Sequence, residues 1–433
     1  MLLRVHNIFR GMALVLATGC SDAGYRDVAI ALGPCDSGIS VPHGFCATVF
    51  ADSLGSVRHL VVLPSGDVYA ARWEGKGRVG ALLALRDTTG DGRADLVDSV
   101  VNSGGSGIAS RDGFLYQSTW SEVLRYRLRA GALAPDASPD TIVMGLPRSG
   151  HAARSIVFDT LGRLYLNIGA PTNSCQLMER GVGSMGRDPC PERDAFAGIW
   201  RFEAARLRQR QSDGERWASG LRHVVALALH PRTGDLFGVP HGRDDLHENF
   251  PQIYDERRGA RLPPEVMYRL EEGRDYGWPY CYFDDSLGRA VLAPEYGGDG
   301  TRHTRCETSP APIAAFPAHW APNGLLFYEG TQFPARYKGG AFIAFHGAWY
   351  RPPPNNGFNV VFVPVEDGKP MPRFEVFADG FAGRRKRPLH ASHRPVGLAE
   401  APDGALFVSD DAGGRIWRIT YSASPVTSKP TIR

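Results

Sequence analysis

The sequence predicts an all-β chain folded as a six-bladed β-propeller with long inserted loops. Three observations carry this. A unit of a Gly turn followed by an apolar, alternating run with an aromatic recurs six times. Gly (51) and Pro (32) are spread along all 433 residues, as many turns between short strands require. Apolar and aromatic residues suffice for a large core, and no linker separates the repeats into independent sandwich domains.

The copies run in order. They are Pro-Ser-Gly-Asp-Val-Tyr-Ala-Ala (64–71), Arg-Asp-Gly-Phe-Leu-Tyr (111–116) and the stretch 160–169 ending Tyr-Leu-Asn-Ile-Gly. Then come Thr-Gly-Asp-Leu-Phe-Gly-Val (233–239), a weaker copy at 337–345 and Pro-Asp-Gly-Ala-Leu-Phe-Val-Ser-Asp-Asp (402–411). Each reads as a turn feeding a strand, and segments 122–128, 198–202 and 414–421 read as second strands. Turn, strand, turn and outer strand make one blade. The extra length falls in 240–320 and 346–393, where a rigid scaffold would carry its site. A strand at 44–51 is positioned to pair with the blade ending at Tyr421 and close the ring.

The chain divides into a lipoprotein-type signal segment (1–20), a linker (21–43), the propeller (44–421) and a tail (422–433). Arg4 and Arg10, the apolar stretch 11–19 and Cys20 match an export signal with a lipid-carrying Cys, although Ala17 stands where such signals usually carry Leu. Ordinary cleavage without lipid is the alternative. The expected location is the periplasm or the outer membrane. The other six Cys form three close pairs, 35 with 46, 175 with 190 and 281 with 306. Six Cys permit 15 pairings; locality selects the sequential one, and no pair has the C-x-x-C spacing that metals favour.

A net charge of +3 gives no ground for a nucleic-acid partner. The basic run Arg384, Arg385, Lys386, Arg387 reads as a solvated loop, and Asp87–Asp95 as a hairpin turn with a short calcium-loop likeness.

Residues that could carry chemistry stand beside the strands. His151 lies in a loop just before one, as a general base or as a His fixed by hydrogen bonds. Arg222 has the corresponding place in the next blade, as an anion-stabilising group or an inter-blade ion pair. In 241–248, backbone carbonyls from a Gly turn with nearby carboxylates suit a hard cation, or form a solvated acidic turn. Arg351 and Arg394 would add positive charge to the same rim, which suits a multi-anionic ligand. The aromatics in 276–282 read as packing residues.

Together these segments resemble the soluble pyrroloquinoline-quinone (PQQ) sugar dehydrogenases, particularly the sorbosone branch. The likeness runs from about Gly44 to Tyr421 and rests on ordered motifs. They are Gly-His-x-x-Arg (150–154), Asn-Ile-Gly-Ala-Pro-Thr-Asn-Ser-Cys (167–175), Gly-Leu-Arg (220–222), Gly-Arg-Asp-Asp (242–245), Tyr-Gly-Trp-Pro-Tyr (276–280), His-Gly-Ala-Trp (346–349) and Arg-Pro-Val-Gly-Leu (394–398). The resemblance implies oxidation of a sugar or sugar-derived aldehyde or polyol. It implies His151 as the base, Arg222 beside the reacting quinone carbonyl and a calcium at Gly242, Arg243 and Asp244. Arg222, His223, Arg351 and Arg394 would face the cofactor. Three positions depart from the family pattern: His223 replaces Asn, and Ala348 and Tyr350 alter the motif around His346. Two other readings share the ring. One is a calcium-dependent lactonase-type hydrolase; the other is a propeller that binds carbohydrate or protein without catalysis.

Overall fold

Each repeat copy becomes the second strand of a blade. These strands are Val68–Arg72, Phe114–Ser118, Arg163–Ile168, Leu236–Val239, Ala341–Phe345 and Leu406–Asp410 in the computed structural model, which describes residues 35, 37–74, 79–148, 150–348, 357–387 and 389–422. Each pairs antiparallel with a preceding inner strand: Val57–Val62, Gly107–Arg111, Ile156–Phe158, Ala226–Leu229, Pro322–Phe327 and Pro395–Glu400. A third and a fourth strand complete each sheet. The third blade gains a further short parallel strand, Arg274–Asp275.

The ring closes as the sequence anticipates. Phe45–Ala51 forms the outer strand of the last blade, with Phe45 opposite Tyr421 and Val49 opposite Trp417. A Cys35–Cys46 disulfide ties the chain just before that strand. The other two bridges are Cys175–Cys190 and Cys281–Cys306. Cα separations of 5.1, 6.2 and 5.8 Å suit all three.

Six apolar clusters fill the six gaps between neighbouring blades. In the fifth blade, alternation sends Phe342 and Ala344 toward the sixth, and Ala341, Ile343 and Phe345 toward the fourth. Both faces of that strand are therefore buried, and its sequence Ala-Phe-Ile-Ala-Phe is apolar throughout. Trp417, fully buried between the fifth and sixth blades, donates its Nε1–H to the Ser37 carbonyl at 3.2 Å. Trp417→Ala is expected to cost about 3–5 kcal/mol, measured by denaturant unfolding, as large core truncations do. Serines stitch adjacent blades along the channel. Ser118 Oγ donates to the Arg154 carbonyl at 2.6 Å, and Ser155 and Ser409 make the same kind of bond to Val225 and Arg58.

The long insertions at 240–264 and 271–313 leave the fourth blade. The first carries two short helices, Leu246–Asn249 and Glu256–Arg261; the second carries the hairpin Cys281–Asp284 and Arg289–Leu292. A third insertion, 169–197, joins two strands of the third blade; the sequence marks it by the motif 167–175 and the Cys175–Cys190 pair but not as extra length. Residues 87–95 do make a hairpin turn: Asp87 Oδ1 accepts from Gly90 N at 2.7 Å and Asp95 Oδ2 from Thr88 N at 2.6 Å. Arg384, Arg385 and Arg387 are exposed, and Lys386 is half-buried, paired with Asp379 at 2.8 Å. Cys20 and Arg351 lie outside the described residues.

Candidate active site

Two kinds of segment meet at one end of the ring. One precedes each inner strand and the other follows each second strand. His151 and Arg222 belong to the first kind, His241, His346 and Asp411 to the second.

His151 is fixed by its own neighbourhood. Its N–H donates to the Ala170 carbonyl at 3.0 Å, and its Nδ1 lies 2.6 Å from the same oxygen. A carbonyl only accepts, so Nδ1 carries the hydrogen and Nε2 keeps its lone pair. A Cβ on Gly169 would fall 2.8 Å from His151 Cβ and 2.7 Å from His223 Cδ2, so a side chain there would displace both imidazoles. Burial, then the charge of Arg222, hold the His151 pKa down at about 3.

Three imidazoles form a row. His151 and His223 have centroids 4.9 Å apart, His223 and His241 5.1 Å. His223 donates from Nε2 to the Ala153 carbonyl at 3.0 Å, which leaves its buried Nδ1 without a partner among the described residues. His241 donates to the Pro322 carbonyl at 2.9 Å. Burial depresses both rings, His241 to about 4 and His223 well below its ordinary value.

Arg222 is buried behind the row. Its guanidinium donates to the carbonyls of Asn173 (3.2 Å) and Gly242 (3.0 Å) and reaches Asp244 at 3.4 Å. Asp244 also faces Arg180 (3.2 Å) and His319 (3.4 Å). Burial alone would raise its pKa, but His319 and Arg222 hold it well below the carboxylate range. The Arg243 side chain turns away to the buried Glu295, at 2.5 and 2.6 Å. Asp245 adopts φ 63°, and Gly242 N donates to the buried Glu265 at 2.8 Å.

A second cluster stands between the fifth, sixth and first blades. His346 Nε2 lies 2.7 Å from Asp411 Oδ1, and Arg58 donates to Asp411 Oδ2 at 2.5 Å. Burial would raise Asp411; His346 and Arg58 hold it well below the usual range. Arg394 donates to the carbonyls of His346 (3.0 Å) and Gly347 (2.5 Å). Burial, then Arg394, lower His346 to about 4, and the His346 charge in turn bears on His241.

The structure thus brings His151, Arg222, His223, Gly242 and Asp244 into one cluster and sets Arg394 in the other. Arg58, Asp411 and His241 were missed. The repeat register could have found two of them, because His241 and Asp411 follow their second strands as His346 does.

The chain is similar to several proteins. A Pyrroloquinoline quinone-dependent pyranose dehydrogenase of Coprinopsis cinerea is 24% identical over 325 residues, 66% of this chain and 42% of the relative. A Pyrroloquinoline quinone-dependent sugar dehydrogenase of Hypocrea jecorina is 23% identical over 389 residues, 79% of this chain and 80% of the relative. Against the first curated relatives it matches, the chain spans less than half of their length. The solved holo form of the pyranose dehydrogenase PQQ domain from Coprinopsis cinerea superposes with a TM-score of 0.71 at 20% identity, covering 88% of this chain and 97% of that one. The TrAA12-like family model matches residues 39–422, and the chain belongs to the TrAA12-like family.

Proposed function

We propose that the protein oxidises a CH–OH group of a sugar, or of a sugar-derived aldehyde or polyol, with PQQ as the oxidant. The observation that supports this most is a neutral His151 with a bare Nε2, held beside a buried guanidinium in a cationic mouth. The relatives named for PQQ-dependent dehydrogenation support the cofactor.

The residues present fit the group. PQQ carries three carboxylates; Arg222 and Arg394 stand on segments that meet at the mouth, and Arg58 is held there by Asp411. The buried Nε of Arg58 and Nδ1 of His223 lack partners among the described residues. Arg394 and Arg58 would hold carboxylates, with Arg351 as a further candidate from the sequence. When bound, the quinone supplies the acceptor for the electron pair leaving the substrate carbon. His151 Nε2 takes the proton from the hydroxyl being oxidised. Burial, with the Arg222 charge, keeps that imidazole neutral, and Arg222 places positive charge where negative charge develops.

Calcium is assigned to the loop 242–245. The Gly242 carbonyl has a second lone pair beyond the bond from Arg222, and Asp244 stays ionised. Because Arg180 and Arg222 already offset Asp244, the cation should hold only together with an anionic ligand. Chelation is therefore expected to remove bound PQQ, followed by its absorbance after gel filtration. Quinone retained at the untreated level would exclude calcium from this role.

The hydrolase reading needs carboxylates free to ligate a metal in the channel. Asp411 instead lies between Arg58 and His346, and Asp244 by itself is no ring of carboxylates. Export remains our reading of the N-terminus, and three disulfides accord with an oxidising compartment. The deciding experiment is reconstitution of the full chain with PQQ and calcium, then dye reduction with a panel of aldoses, polyols and aldehydes. No quinone binding would overturn the proposal.

A further inference from the structure

Outside the site described, a polar cavity of about 230 Å³ opens between the first and second blades. Trp120 and Glu122 line one side, Glu74 and Asn102 the other, with Arg148 at the edge. The wall is built rather than incidental. The backbones of Gly80 and Gly104 touch: a Cβ on Gly80 would stand 2.1 Å from the Gly104 Cα, so no side chain can occupy that wall. The buried Gln117 donates to the Ser103 carbonyl at 2.7 Å and fixes the loop that carries Asn102.

The cavity opens at the same end of the ring as His151. Trp73 and Thr119 directly follow their second strands, as His346 and Asp411 follow theirs. The connection is physical. Trp120 packs on Trp73 with centroids 4.5 Å apart, the Arg58 guanidinium lies 5.6 Å from the Trp73 ring, and Arg58 holds Asp411 in the mouth.

We infer that this cavity is a subsite for a neutral glycosyl unit linked to the sugar being oxidised, so that the enzyme works on oligosaccharide ends. The inference rests on the sugar-oxidising reading of the mouth. The chemistry is that of polyol recognition. The carboxylates of Glu74 and Glu122 accept no hydrogen bond from any described residue, so both can take hydroxyl hydrogens. Asn102 supplies donor and acceptor, and the Trp120 ring offers an apolar face to the CH side of a pyranose. Among the described residues, two carboxylates against one Arg give the wall a negative balance, which favours neutral sugars over uronates.

The test uses the full chain without added cofactor. Its probes are the neutral trimers of glucose, xylose, mannose and galactose, their monomers, and trigalacturonate, with Kd measured by titration calorimetry. At least one neutral trimer should bind about tenfold more tightly than its monomer. That gain should vanish in Trp120→Ala and in the milder variants Glu122→Ala, at a half-buried side chain, and Asn102→Ala, at an exposed one. Trigalacturonate should show no gain. The subsite is overturned if no trimer exceeds its monomer, if the gain survives all three variants, or if trigalacturonate binds as the neutral trimers do. The two readings fail separately. PQQ-dependent oxidation of monomers without a trimer advantage sinks only the subsite. A trimer advantage in a chain that binds no PQQ sinks only the dehydrogenase.

Discussion

His151→Ala is expected to cut turnover about 10²-fold or more while PQQ stays bound, the usual share of general-base catalysis. The side chain lies in a loop at the mouth, and its one hydrogen bond goes to the adjoining Ala170 carbonyl. Its removal therefore empties little core. The bare Nε2 is the only part of the ring that can take a proton, and it is kept bare by that same bond. The pH profile gives an independent check. Burial and Arg222 place the His151 pKa at about 3, so the base is already neutral throughout pH 5–8. The turnover of the parent should show no acid limb near 6.5 from this residue. A His151→Ala protein that reduces dye at the parent rate with PQQ bound would falsify the assignment.

The second large effect is on stability. Acidification of the cofactor-free chain from pH 6.5 toward 4.5 should destabilise it steeply. Burial lowers His59, His241 and His346 to about 4 and His151 to about 3, and holds His223 well below its usual value. In the unfolded chain these imidazoles protonate near 6.5, so in this window the unfolded state binds more protons and stability falls with pH. Glu265 works the other way. Burial raises it to about 7, so the folded state takes up its proton first and gains stability as pH falls below that value. The balance is an uptake of about four protons on unfolding near pH 5, or about 5 kcal/mol per pH unit. Urea unfolding at pH 6.5, 6.0 and 5.5 should show the slope steepening toward this value, with an average of about 4 kcal/mol per unit. A slope under about 1 kcal/mol per unit would refute it. His241→Asn should reduce the uptake by about one proton.

Much of the fold was legible because a blade leaves a local signature. The turn before each second strand must be tight, and the strand after it must be apolar on both faces. The pairs 64–71 and 402–411 carry this pattern plainly. The third-blade insertion left no such signature, since its backbone is held by Asn173, Glu179 and a disulfide rather than by strand periodicity. At the mouth, His151, Arg222 and Gly242 stood out as residues beside strands. Arg58 did not, because it lies inside an inner strand and meets Asp411 only across the closed ring. Arg243 shows a further limit of sequence reading. Its ion pair with Glu295 depends on where the fourth-blade insertions fold back, which no spacing encodes.

Closing the ring with the first strand also sets the order in which the protein can be finished. Thr48 bonds the carbonyl of Arg418, 370 residues away. The first of the described strands thus waits for its one sheet partner, Ile416–Tyr421, through some 370 residues of chain. Five blades can assemble from near neighbours, but the sixth is a non-local joint, and such joints form slowly. Until then Phe45–Ala51 is an apolar edge open to other chains. The interval between synthesis of the first strand and arrival of the last hairpin is therefore when this molecule is most exposed to misassembly, and a chaperone that shields its N-terminal strand would act there.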